Sequence, residues 1–240
     1  MRLHRFIGKF DLNRLSVSLT DKDMVNQICN VLRLKVGDRV ALGDGNLGEA
    51  IGKISELGKK EIKIQIQQTY RNENEPNMQV TLFAAVLKRE NFELLVQKAT
   101  EVGVSGIVPI ITERTVKLGL NQARLQKIIR EAAEQSGRGF VPAVSEPVKL
   151  AEAVKLAAKN DTNIVFDTNG NKLSDTATKI KIAKNIGIFV GPEGGWTEEE
   201  LTALRREGFI IASLGKLTLR AETAGIISSY IIAQIVRPLA

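Results

Sequence analysis

Apolar positions along the chain change period after the first forty residues. Val25, Ile28, Val31 and Leu32 recur at three- and four-residue spacing, which predicts a helix there. Thr20 is its expected N-cap, with Asp23 in the capping-box place usually held by Glu or Gln. After Val36, Gly37 and Asp38 the period falls to two. Residues 39–43, 49–54 and 61–66 alternate apolar with polar or small side chains, and the turn signals 44–46 and 57–59 lie between them. Short strands joined by tight turns predict a small barrel or a curled sheet. The polar run 71–77 is the expected linker.

From residue 78 onward strands and helices alternate. The pattern predicts strands over 80–87, 106–111, 163–166, 186–190 and 210–214. It predicts helices over 91–102, 121–136, 150–159, 197–207 and 222–236. Such alternation means an α/β layer with a mostly parallel sheet, whose ligands bind at loops leaving the carboxyl ends of strands. The loops after Val190 and Leu214 are therefore the ones to inspect. Ser228, Ser229 and Gln234 interrupt the most apolar stretch, 225–236, which is too short to span a membrane. The first residues carry charge with no long apolar run behind them, so a soluble, cytoplasmic protein is expected.

Composition narrows the chemistry. With 43% hydrophobic and 25% charged residues, the 240-residue chain is not a disordered one. A single cysteine, Cys29, excludes an internal disulfide, and one Cys with one His, His4, excludes the usual four-ligand zinc site. A Ser-His-Asp or Cys-His hydrolase would have to use His4, with which no partner motif converges. Lys and Arg outnumber Asp and Glu by 34 to 27, a formal +7 that points toward a polyanionic partner. Residues 1–75 carry 13 basic and 10 acidic side chains and the remainder 21 and 17, so neither part concentrates the excess.

Three segments are candidates for chemistry. Gly191-Pro192-Glu193-Gly194-Gly195-Trp196-Thr197 follows the 186–190 strand, and its glycines let a ligand approach the backbone. Acids at 198–200 oppose a phosphate there, and neither GxxxxGK[ST] nor GxGxxG is present at a strand-to-helix turn. The same spacing also suits a tight turn that binds nothing. The second segment, 214–224, combines Gly215, Leu217 and Leu219 with Arg220 and Glu222 at a helix entrance. Its leucines could line an adenine-sized slot, or be core beside a surface charge pair. The third is the helix from 121 toward Arg138. Arg124, Lys127, Glu131, Glu134 and Arg138 form one stripe, and Leu125, Ile128, Ile129 and Ala132 an apolar one. With Arg114 and Lys117, the segment 114–138 holds six basic residues and is either a solvated face or a phosphate-contacting one.

Taken in order, these residues resemble one family. His4-Arg5-Phe6, Asn30 to Arg33 with Gly37-Asp38, and 97–104 are the first matches. Pro109, Glu113-Arg114, 131–138 with Pro142, Gly191 to Gly195, and 214–224 complete the set. The chain resembles the RsmE-type 16S ribosomal RNA (uracil-N3) methyltransferases of the SPOUT superfamily, departing from the usual residues at Ile7 and Thr218. The resemblance implies an N-terminal PUA-like β-barrel over 1–72 that grips RNA. It also implies an α/β knotted SPOUT methyltransferase domain over 73–240, with a C-terminal trefoil knot. It implies S-adenosylmethionine held at Phe166, Thr168, Gly191, Pro192, Glu193, Gly194, Gly195, Leu214, Gly215, Leu217 and Leu219. Arg220 and Glu222 would be catalytic, and His4, Arg5, Arg33, Arg114, Arg124 and Arg138 would contact RNA. A homodimer acting on the small ribosomal subunit without metal or membrane is the expected assembly. A noncatalytic RNA-binding assembly factor and a SPOUT enzyme acting on transfer RNA are the rival readings.

Overall fold

The computed structural model describes residues 3–116 and 119–236. Its contacts divide the chain into two units, Met1–Glu75 with Ala133–Val141, and Pro76–Ala132 with Pro142–Ala240. The first unit contains β1 (His4–Ile7), β2 (Ser16–Leu19), α1 (Lys22–Asn26), β3 (Arg39–Gly43), β4 (Gly48–Leu57) and β5 (Ile62–Arg71). These strands form a five-stranded sheet in the order β1-β3-β4-β5-β2, antiparallel except for the β1–β3 pair. Alternation sends Val40, Leu42, Ile54, Ile62 and Ile64 into one core with Phe6. Register shifts at Ile51/Gly52 and Ile54/Glu56 interrupt the ladder between β4 and β5.

Two expectations for this unit are corrected. The cap is Asp21 rather than Thr20, and its Oδ1 accepts from the N–H groups of Asp23 and Met24 at 3.0 Å each. The helix then widens into a π turn over Gln27–Val31, where the Leu32 N–H reaches the Gln27 carbonyl at 2.8 Å. That extra residue shifts the 3.6-residue phase, so Val31 stands 67% exposed although the pattern placed it on the apolar face. The boundary between the units, at Glu75/Pro76, falls inside the expected 71–77 linker, whose polar side chains are engaged. Asn72 is buried and donates to Glu49 at 2.6 Å, while Glu75 accepts from Arg138 and from the N–H groups of Gly139 and Phe140.

The second unit holds β6 (Gln79–Ala85), α2 (Arg89–Glu101), β7 (Gly106–Ile111), α3 (Gln122–Ser136) up to Ala132, β8 (Ala143–Val144), β9 (Val148–Lys149) and α4 (Leu150–Ala157). It continues with β10 (Thr162–Lys172), α5 (Ala177–Ile182), β11 (Asn185–Val190), α6 (Glu198–Arg206), β12 (Ile210–Ser213) and α7 (Ala221–Val236). Its seven-stranded sheet runs β12-β10-β11-β6-β7-β8, with β9 also paired to β7, and every pair is parallel. Continuous apolar runs in β6 and β11 are buried, as a sheet covered on both faces requires. Phe83 stacks on Phe189 at 4.3 Å between centroids, and Phe209 meets Phe189 edge-on at 5.1 Å.

Strand β10 outruns its expected end at Phe166. Phe166 and Asn171 both pair with Ala212, so 167–170 are looped out between them. A Cβ on Gly170 would lie 2.3 Å from the Ala212 carbonyl carbon, so only glycine lets the strand rejoin its neighbour. The short helix α5 was not expected, since its segment shows no apolar period. In α7 the hydroxyls of Ser228 and Ser229 donate back to the Gly225 carbonyl, which explains polar residues buried in an apolar helix. Among the described residues no helix is long and apolar enough to cross a membrane.

Phe189 sits at the centre of the aromatic stack, so Phe189→Ala should cost about 3–5 kcal/mol of unfolding free energy. Urea denaturation checks this, and a loss below about 1 kcal/mol would mean the stack does not organise the sheet.

Candidate active site

Because β6, β10, β11 and β12 are parallel and in register, Ala84, Val190, Phe166 and Ala212 stand side by side at one edge, where β6, β11 and β12 end and β10 loops out. The loops leaving them enclose a cavity of about 840 Å³, within the usual range for a small-molecule site. Val86 to Lys88 come from the first loop, Phe166 to Thr168 from the second, 190–196 from the third, and 213–215 with 217–222 from the fourth. Every residue expected at the cofactor lines this cavity: Phe166, Thr168, Gly191, Pro192, Glu193, Gly194, Gly195, Leu214, Gly215, Leu217 and Leu219. Arg220 and Glu222 line it too. Leu217 is 81% exposed, so the leucines of this loop are cavity wall rather than core.

Two charged side chains stand where α7 begins. Glu222, in the first turn of α7, is 6% exposed, and its Oε2 is buried without a hydrogen-bond partner. Such an atom is costly unless something bound there satisfies it. Arg220 is exposed beside it, its carbonyl accepting from the Ala224 N–H at 2.8 Å. Among the described residues no ion pair joins Arg220 to Glu222. The glycine loop is tightly braced. The Gly195 N–H closes a turn on the Pro192 carbonyl at 2.9 Å, and Thr197 and Glu200 form the capping box that starts α6. Trp196 is 6% exposed, and its Nε1 donates to the Phe166 carbonyl at 3.1 Å.

The comparisons with known proteins agree with this geometry. The family described as the RNA methyltransferase domain matches residues 73–233, and the RNA methyltransferase PUA domain matches 19–67. The chain belongs to the RNA methyltransferase family. It is 31% identical to the ribosomal RNA small subunit methyltransferase E of Rickettsia conorii, over 88% of this chain and 86% of that one. The protein of the same name from Synechocystis is 34% identical over 87% of this chain and 70% of its own. A crystal structure of the Neisseria gonorrhoeae enzyme of that name, bound to S-adenosyl methionine, superposes with a TM-score of 0.90. It is 30% identical and covers 98% of both chains.

The side chains expected at RNA differ in exposure and in partners. His4 and Arg33 are exposed, and Arg33 holds a left-handed φ of 52°. Arg5 pairs with the buried Glu49. Beside them, burial pushes the Tyr70 phenol above its usual range and the Glu49 carboxylate adds to the rise. Arg124 donates to Glu93 at 2.6 Å and holds that carboxyl below its usual value. Gly137, at φ 78°, ends α3, so Arg138 leaves the predicted stripe. It is 5% exposed, with Nη2 2.7 Å from Glu75, rather than on a phosphate-contacting face. Arg114 turns to the glycine loop instead, and Lys117 lies outside the described residues. Reasoning from the sequence missed Val86 to Lys88 and Asn91. The end of β6 was readable as a fourth loop on the same edge, since β6 is a central apolar strand.

Thr197→Ala should remove the α6 cap and cost about 1 kcal/mol, with Thr197→Ser recovering most of it. Thermal denaturation of the three proteins checks this, and equal melting temperatures would sink it.

Proposed function

We propose that the chain transfers a methyl group from S-adenosylmethionine to N3 of a uridine in 16S ribosomal RNA. The observation that carries this reading is the cavity at the common strand edge, where glycine-opened backbone meets a buried carboxylate oxygen with no partner. The residues present fit the cofactor. The cavity is large enough, its leucines suit a flat heterocycle, and the Glu222 carboxylate suits a cationic ligand. Backbone at 191–195 and 214–219 would hold it, with Phe166 and Thr168. When bound, it supplies an electrophilic methyl group.

This chain's own residues then have three tasks. They align the uracil, remove the proton from N3, and stabilise the negative charge that spreads onto the flanking carbonyls. Arg220 supplies the positive charge for the last task. Glu222 is the group placed to accept the proton, since its Oε2 is not committed to Arg220 or any other described residue. His4 and Arg33, both exposed, together with Arg5 and Arg124, contact the RNA backbone, while Arg138 shapes the loop beside Glu75.

The same reading extends to architecture. Residues 1–72 close into a PUA-like barrel that grips RNA, and 73–240 thread a SPOUT trefoil knot around the cofactor. The enzyme works in the cytoplasm as a homodimer. The dimer reading is supported by α2 and α7, where Leu94, Ile227 and Tyr230 are exposed apolar side chains.

Two measurements test these points. Arg220→Ala should slow single-turnover methylation about 10²- to 10³-fold while cofactor binding by calorimetry stays near wild type. A wild-type rate would remove Arg220 from the mechanism, and mapping the modified base in ribosomal RNA from a deletion strain tests the N3-uridine assignment itself. Tyr230→Glu should shift the protein from dimer to monomer in sedimentation velocity. An unchanged dimer would place the interface elsewhere.

A further inference from the structure

The loop that would hold the cofactor contains three glycines, at 191, 194 and 195, and such a chain has little stiffness of its own. A backbone-lined site on so pliant a segment would lose affinity to the ordering it demands on binding. Something must therefore hold the loop in shape beforehand. The structure shows two braces, one beneath the loop and one across it.

The brace beneath is Trp196. Its ring lies against Gly191, where an added Cβ would come 3.1 Å from the indole, and its N–H holds the Phe166 carbonyl. The ring thus ties the loop after β11 to Phe166, where β10 loops out. The brace across is a second turn, residues 112–115, which follows β7. Thr112 and Thr115 lock that turn through a 2.9 Å hydroxyl contact and through the Thr112 N–H, which donates to Thr115 Oγ1 at 2.9 Å. Arg114 projects from it, and one guanidinium nitrogen, Nη1, donates to the Gly194 carbonyl at 2.7 Å and the Trp196 carbonyl at 3.2 Å. The aliphatic stem of Arg114 also packs on Gly194, with Cδ 3.3 Å from where a Cβ would stand. Its neighbour Glu113 completes the connection. The Glu113 N–H donates to Glu200 Oε1 at 2.9 Å, and its carboxylate accepts from the Thr197 hydroxyl at 3.4 Å.

We propose that Arg114 is a positioning residue for the cofactor loop, not an RNA contact. It sets the 194–196 backbone in the shape that binds the cofactor, acting through two carbonyls. The inference rests on the cofactor reading given above. It changes what a basic residue means here: the charge serves to satisfy loop carbonyls left without sheet partners, and charge-assisted bonds do this more strongly than neutral ones.

The test uses full-length protein and S-adenosylmethionine itself. Calorimetry gives cofactor affinity, and anisotropy of a labelled 16S ribosomal RNA fragment gives RNA affinity. The single tryptophan, Trp196, reports on this loop alone through its fluorescence. Arg114→Ala should weaken cofactor binding about tenfold or more, change the emission of Trp196 before ligand is added, and leave RNA affinity within about twofold. Arg114→Lys, whose ammonium can donate to both carbonyls, should recover most of the loss. Arg206→Ala, an equal loss of charge on the exposed end of α6, should leave cofactor affinity unchanged. If Arg114→Ala binds cofactor as wild type does and loses RNA affinity instead, the proposal is overturned. Should Arg114→Ala unfold, Arg114→Gln is measured in its place and read by the same two affinities. Failure of the wild-type protein to bind the cofactor at all would overturn the methyltransferase reading instead, and so is a distinguishable result.

Discussion

Parallel strands that stop at one level leave a row of peptide groups without ladder partners, and buried peptide groups do not stay unpaired. In the second unit the ends of β6, β11 and β12 and the loop-out after Phe166 in β10 meet at one cavity, and the carbonyls of the loops there need partners. Part is met by the protein: Trp196 takes the Phe166 carbonyl, and Arg114 takes those of Gly194 and Trp196. A site made this way is mostly backbone, which is why glycines and leucines outnumber charged side chains around it. It also explains the weight that falls on Arg220 and Glu222, the polar residues at the entrance of α7.

The α/β layer was legible because its central strands are buried on both faces and read as unbroken apolar runs, bounded by amphipathic helices. The two loops after Val190 and Leu214 followed from the rule about carboxyl ends, and the residues expected from them do meet in one cavity. What was not legible is instructive. The loop-out of 167–170 arises because β10 rejoins β12 at Ala212, a pairing decided by a neighbouring strand and by the space at Gly170. The π turn at Gln27–Val31 defeats any reading at 3.6 residues per turn, because the period itself changes. The run 71–77, read as a linker from its polar composition, does contain the boundary between the units, after Glu75, but its polar side chains are engaged. Asn72 and Glu75 are polar because they satisfy backbone at 137–140, more than sixty residues away in sequence, which local composition does not encode.

Charge shows the same limit more sharply. The net +7 counts each Lys and Arg as available to a polyanion, yet a cation is available only if its own protein has not engaged it. Arg5 is engaged by Glu49, Arg124 by Glu93, Arg138 by Glu75, and Arg114 by two carbonyls. These engagements differ in kind. The Arg124–Glu93 pair is half exposed on its Arg side, so a phosphate can compete for it at modest cost. Arg138 and Glu75 are both largely buried, and withdrawing either partner would strand a charge out of water. A count of Lys and Arg therefore overstates the charge that the surface offers, because Arg33 and Arg124 stand exposed where Arg138 is enclosed with its carboxylate.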